Sequence, residues 1–143
     1  MNDLFAAEAL IVNRIQTLVP ELRKVVAVMD LDGVTSQGQI TPAAYVIYGG
    51  DEPVPGIDQE CGDLMLEQHW LAVLAMKMTR EESARMEAGK ILITMDAALR
   101  GWQPDENHAS PLIRVRSPPP LFEDGFGYFA LRYSTHIFLS GVN

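Results

Sequence analysis

Leu64-Met65-Leu66-Glu67-Gln68-His69-Trp70-Leu71-Ala72-Val73-Leu74-Ala75-Met76-Lys77-Met78 is the stretch whose reading decides the fold. It contains no Gly or Pro, so it forms one uninterrupted element, yet its polarity fits neither the helical nor the extended period cleanly. If extended, it puts Leu66, Gln68, Trp70, Ala72, Leu74 and Met76 on one face. Met65, Glu67, His69, Leu71, Val73, Ala75 and Lys77 then fall on the other. The mixed polarity of Gln68 to Val73, beside a far clearer helical pattern downstream, selects a long strand.

That helix is expected from Glu81 to Arg100, with Ala84, Ala88, Ile91, Leu92, Met95, Ala98 and Leu99 on one face. Gly101 stands where a helix stops, and Arg100 suits the negative end of the helix dipole. Leu112–Arg116 reads as a strand ended by Pro118-Pro119-Pro120, and Gly127–Leu139 as a last long strand. In the latter, Phe129, Leu131, Tyr133, Thr135 and Ile137 alternate with Tyr128, Ala130, Arg132, Ser134, His136 and Phe138.

Upstream, Asp3 can cap a helix reaching about Val19, with a stripe of Phe5, Ala9, Val12, Ile15 and Val19, and Pro20 ends it. Val25–Met29 reads as a short buried strand, the residues from Asp32 to Thr41 as polar turns, and Ala43–Tyr48 as a second strand leaving through Gly49-Gly50. The segment 51–63 holds two prolines, two glycines and five acids, which predicts an exposed loop or arm. The order is α-β-β-β-α-β-β. The expected class is α+β: a single domain, 1–143, with a mainly antiparallel sheet of about five strands and two helices packed on one face. The other face is then partly bare and the edges need blunting, which symmetric self-association would supply.

Charge is distributed unevenly. Between Lys24 and Lys77 there is no Lys or Arg, while Asp30, Asp32, Asp51, Glu52, Asp58, Glu60, Asp63 and Glu67 carry eight of the chain's 19 acids. The other 11 acids are matched by 11 Lys plus Arg, so the whole net charge of −8 sits in this window. Such a surface repels nucleic-acid phosphate and anionic lipid and favours a cationic partner, a divalent ion or bulk water. At 143 residues and 48% hydrophobic, the chain has material for one core. No run approaches the roughly 18 apolar residues of a membrane helix. Met1-Asn2-Asp3-Leu4 lacks a signal peptide's basic start, so a soluble protein made in a cytoplasm is expected. Cys61 is the only cysteine, which excludes an internal disulfide and a multi-cysteine metal site. It reads as a partly buried, inert loop thiol.

The sharpest catalytic motif is Val25-Val26-Ala27-Val28-Met29-Asp30-Leu31-Asp32-Gly33-Val34. It resembles the first motif of haloacid-dehalogenase-type Mg-dependent phosphatases, which implies Asp30 as nucleophile, Asp32 as acid/base, Lys90 for phosphate and Glu123-Asp124 for metal. Against it, that fold needs a helix after each parallel strand, whereas Gly33 to Asp63 reads as turns, one strand and a Pro/Gly arm. Asp and Gly are also what turns require. A calcium loop beginning at Asp30 lacks an oxygen donor at Val34 and a glycine at Thr35. His69, His108 and His136 show no metal-ligand spacing, and Ser117 sits in no nucleophile elbow. No enzyme and no cofactor are expected.

A second constellation is architectural. Pro42-Ala43-Ala44-Tyr45-Val46-Ile47 with Gly49-Gly50, then Gln68–Val73, then Leu99-Arg100-Gly101-Trp102-Gln103-Pro104 follow in order. Pro111-Leu112, Leu121-Phe122 and a closing strand with Tyr128, Leu131 and Tyr133 complete it. Together, over roughly residues 4–139, they resemble bacteriophage tail terminator proteins. The resemblance implies a structural phage or prophage subunit that forms a hexameric ring on the head-proximal end of the tail tube, ends tube polymerisation and offers a surface for head joining. The partners implied are its own copies, the major tail tube protein and a head-completion or connector protein. DNA would pass through without specific binding, and no membrane is involved. The place implied is the virion tail, assembled in the bacterial host cytoplasm. The alternative is another head–tail joining or tail-completion protein.

On that reading, subunit contacts are expected along the long strand at His69, Trp70, Leu71 and Val73, with Trp70 as anchor or as core. The acidic group Asp51, Glu52, Asp58, Glu60 and Asp63 would line a lumen or form an arm. Arg114, Arg116 and Arg132 would pair with a neighbour's acids, and Trp102 would lock its corner against the core.

Overall fold

A computed structural model describes residues 3–36, 40–79, 81–106 and 110–142. In chain order the elements are α1 (Ala6–Leu18), β1 (Lys24–Ala27), α2 (Leu31–Ser36), β2 (Ala43–Pro53), a 3-10 turn (Gln59–Cys61), β3 (Leu64–Lys77), α3 (Glu82–Leu99), β4 (Ile113–Val115), β5 (Leu121–Glu123) and β6 (Phe126–Leu139). The sheet runs β1-β2-β3-β6-β4, and β5 also pairs with β6. β1 and β2 are parallel and every other pair is antiparallel.

The long stretch is a strand and the axis of the molecule. β3 pairs with β6 without interruption from Leu64↔Leu139 to Lys77↔Phe126. Its even-numbered face is buried: Trp70, Ala72, Leu74 and Met76 meet Leu131 and Tyr133 of β6 under both long helices. α3 presents Ala88, Ile91, Met95, Ala98 and Leu99, five of the residues its sequence pattern selects. Of the predicted stripe Ile15 and Val19 are buried and Val12 is partly so, but Phe5 and Ala9 are exposed, and Ala7 and Ile11 take their place. The i, i+4, i+8 row ending at Val19 wins because it lies against α3 and the sheet. Gly101 has φ +79 and donates its N–H to Leu112 O, so the helix stop is also a tertiary clasp. Trp102 packs on the core beside it, under the Arg14 guanidinium.

Four expectations change. The polar turn after Asp30 contains α2, whose Val34 is fully buried in a cluster with Ala43, Tyr45, Ile47, Val73, Ala75 and Tyr128 at one end of the second sheet face. Burying that valine contributes about 1.5–3 kcal/mol, enough to hold a helix too short to form alone. β1 is an edge strand with only Val25 buried, not a buried one.

β2 does not leave the sheet at Gly49-Gly50. The register shifts between Tyr48↔Trp70 and Asp51↔Gln68, and pairing resumes through Pro53↔Leu66. The two glycines form a β-bulge, with Gly50 at φ +94, and the first part of the acidic arm is strand. Finally, Leu121–Glu123 pairs with β6 through Asp124-Gly125, both at positive φ. That is a two-residue hairpin turn.

Candidate functional site

The second sheet face is closed at one end by α2 and open at the other, and the open half collects the chain's unassigned polar groups. Cross-strand rows build it: Glu52↔Glu67↔His136, then His69↔Ser134↔Ile113, then Ile47↔Leu71↔Arg132↔Val115. Gly49 permits the close approach here, because a Cβ would lie 2.8 Å from a Leu71 methyl and 3.2 Å from His69 Cβ.

Glu52 and Glu67 are set directly opposite each other, an arrangement that costs free energy between like charges. His69 Nε2 lies 3.8 Å from Glu67 Oε1. One ligand atom each from Glu52, Glu67 and His69 falls within 4.8 Å of the others, the one such trio among the described residues that could hold a metal ion. Spacing along the chain could not reveal it, since hairpin register alone brings Glu52 to Glu67.

Next along the face, Gly49, Leu71, Arg116, Ser117, Pro118, Pro119 and Arg132 line a groove of about 410 Å³. Arg132 Nε is buried and has no hydrogen-bond partner among the described residues. The predicted basic trio is therefore divided. Arg116 and Arg132 share the groove, while Arg114 lies toward the helices and donates to Asp96 Oδ1 at 3.2 Å and to Ser117 Oγ at 3.1 Å. Asp96 also accepts from the Tyr133 hydroxyl at 2.7 Å and pairs with Arg100. Burial first, and then this hydrogen bond, push the Tyr133 pKa upward.

The acidic segment divides too. Asp51 and Glu52 sit on β2, and the Tyr48 hydroxyl donates to Asp51. Asp58, Glu60 and Asp63 occupy the hairpin tip, where Asp58 Oδ1 accepts from Glu60 N at 3.0 Å. Cys61 is exposed there, not partly buried; its thiol donates to Asp58 Oδ2 at 3.1 Å, which raises its pKa. Gly62 packs against the Gly141 backbone, pinning the tip beside the C-terminal segment.

Of the predicted interface residues, Trp70 is 1% exposed inside the core. Its ring is edge-on to Tyr48 at 5.1 Å and its indole N–H donates to the buried Gln68. Val73 is equally enclosed, so only His69 and Leu71 reach this surface. Asp30 and Asp32 are exposed, and Asp30 Oδ1 accepts from Gly33 N at 2.8 Å as a cap on α2. His108 lies outside the described residues.

A family model described as phage tail terminator protein matches residues 1–141. The chain belongs to the phage tail terminator family. It is a structural protein of a phage-type tail, and the resemblance carried by Pro42–Ile47, the long strand and Leu99–Pro104 is borne out. Among solved structures, the chain is similar to one from the "Virion of native gene transfer agent (GTA) particle". The TM-score is 0.54 at 12% identity, over 93% of this chain and 87% of that one, a likeness of fold. No curated protein matches. Among the described residues no helix is long and apolar enough to cross a membrane.

Proposed function

We propose that this tail terminator acts as a closed hexameric ring on the head-proximal end of the tail tube, stopping tube growth and presenting its other face to a head-completion or connector protein. The observation that carries the reading is the family match across residues 1–141, joined to a fold that leaves one end of a sheet face open. A growing tube is a heterologous stack, and it ends when a ring matches the last layer on one face and does not repeat it on the other. That task is mechanical and needs no reacting group, in keeping with a structural family and with an Asp30 that caps a helix. Assembly takes place in the host cytoplasm.

The acidic window supports a lumen through which DNA passes without sticking, because carboxylates repel phosphate and offer no counterion-release gain. Neutralising Asp51 and Glu52, on the paired part of the hairpin, then impairs DNA delivery while assembled tails stay intact; normal delivery by such particles sinks the lumen reading.

Purified protein mixed with its cognate tube protein tests the main reading. Tubes of limited length carrying six-fold caps in negative-stain images are expected, and unchanged tube lengths without caps overturn it.

A further inference from the structure

We propose that the groove holding Arg116 and Arg132 receives the acidic hairpin tip, Glu60 and Asp63 above all, of a second copy of this chain. The inference rests on the ring reading and names its contact. Three observations carry it. The groove has two arginines on its wall, one with a buried Nε lacking a hydrogen-bond partner among the described residues, so the pair offers positive charge and N–H donors to an anion. The tip is the complementary surface: it holds Asp58, Glu60 and Asp63, and no Lys or Arg occurs between Lys24 and Lys77.

The third observation excludes the chain's own tip. Leu71 and Arg132 share one row, whereas the tip begins at Leu64↔Leu139, seven residues away along β3 and about 23 Å distant at 3.3 Å per residue. Pairing of Asp51–Pro53 with Leu66–Gln68, the Val54 N to Met65 O bond and the Gly62–Gly141 contact hold the tip there. A groove at one place and its complement at another make a head-to-tail contact, the kind that closes into rings. Asp51 and Glu52, on the paired part of the hairpin, remain for the lumen.

Two reversed variants of the full chain test the contact: Arg116→Glu with Arg132→Glu, and Glu60→Lys with Asp63→Lys. Each alone should lose association by roughly tenfold or more per contact, read by native mass spectrometry and on cognate tubes. An equimolar mixture should recover it, with the two chains alternating, since each reversed surface then meets its complement. Recovery also shows that both variants fold.

A second measurement uses the native Cys61. With Ser117→Cys, a short bismaleimide should link Cys61 of one molecule to position 117 of another, identified in peptides from mixed isotopically labelled and unlabelled chains. Variants with reversed charges that assemble like the parent, or Ser117→Cys rings on tubes that give no such intermolecular link, overturn this contact and leave the ring reading standing. A parent chain that neither self-associates nor caps tubes overturns both.

Discussion

Replacing Asp96 with Ala removes a carboxylate that joins α3, β4 and β6. Its Oδ1 accepts from the Tyr133 hydroxyl and from Arg114, and its Oδ2 pairs with Arg100 at 3.2 Å. The size of the effect follows from exposure. Tyr133 is 1% exposed, so its orphaned hydroxyl costs about 1–3 kcal/mol. The arginine side chains are 63% and 37% exposed, and solvent screening reduces their pairs to roughly 0–1 kcal/mol together.

Asp96→Ala should therefore destabilise the subunit by about 2–3 kcal/mol. In urea this lowers the unfolding midpoint by on the order of 1 M at fixed protein concentration. Tyr133→Phe loses only the hydrogen bond, about 1 kcal/mol. The double variant should be no worse than Asp96→Ala, because the orphaned hydroxyl has gone with its partner. A cost below about 0.5 kcal/mol for Asp96→Ala, or strict additivity in the cycle, would refute the reasoning.

Three further outcomes follow from the same geometry. Tyr133 has a folded-state pKa raised above its ordinary 10.0, so its contribution is fully present below pH 10. It is lost as pH rises and the unfolded chain ionises. Denaturation followed from pH 9 to 11 should show that loss, reduced by about 1 kcal/mol at pH 11 in Tyr133→Phe. Glu52→Gln relieves the directly opposed Glu52–Glu67 pair and should stabilise by about 0.2–1 kcal/mol in low salt, with the gain vanishing in 1 M NaCl; thermal melts at the two salt levels check it. Asp30→Ala should cost about 1 kcal/mol through lost capping of α2 and Asp30→Asn only a few tenths, with no p-nitrophenyl phosphate turnover in the parent or either variant; turnover abolished by Asp30→Asn would restore the catalytic reading.

Much of this architecture was legible from local chemistry. Unbroken chain from Leu64 to Met78, alternation from Gly127 to Leu139 and the apolar face of α3 are patterns written within a few residues, and all three elements stand where those patterns put them. The Asp124-Gly125 hairpin was missed, although Asp-Gly is a two-residue turn signal, and with it the strand Leu121–Glu123. α2 was not legible, since six residues with one buried valine become helical only against the sheet.

The surface divides differently. Sequence by itself determined that acids and bases are segregated along the chain, that one cysteine cannot brace the fold, and that the long strand has two unlike faces. Tertiary structure decided which charges meet. A bulge at Gly49-Gly50 returned the acidic arm to the sheet and set Glu52 against Glu67, β4 turned Arg114 toward Asp96, and the loop after it left Arg116 beside Arg132. It also enclosed Trp70 and sent Asp30 to a helix cap. Periodicity and chain breakers act over a turn or two of backbone, whereas strand register is set by burial and pairing between distant segments.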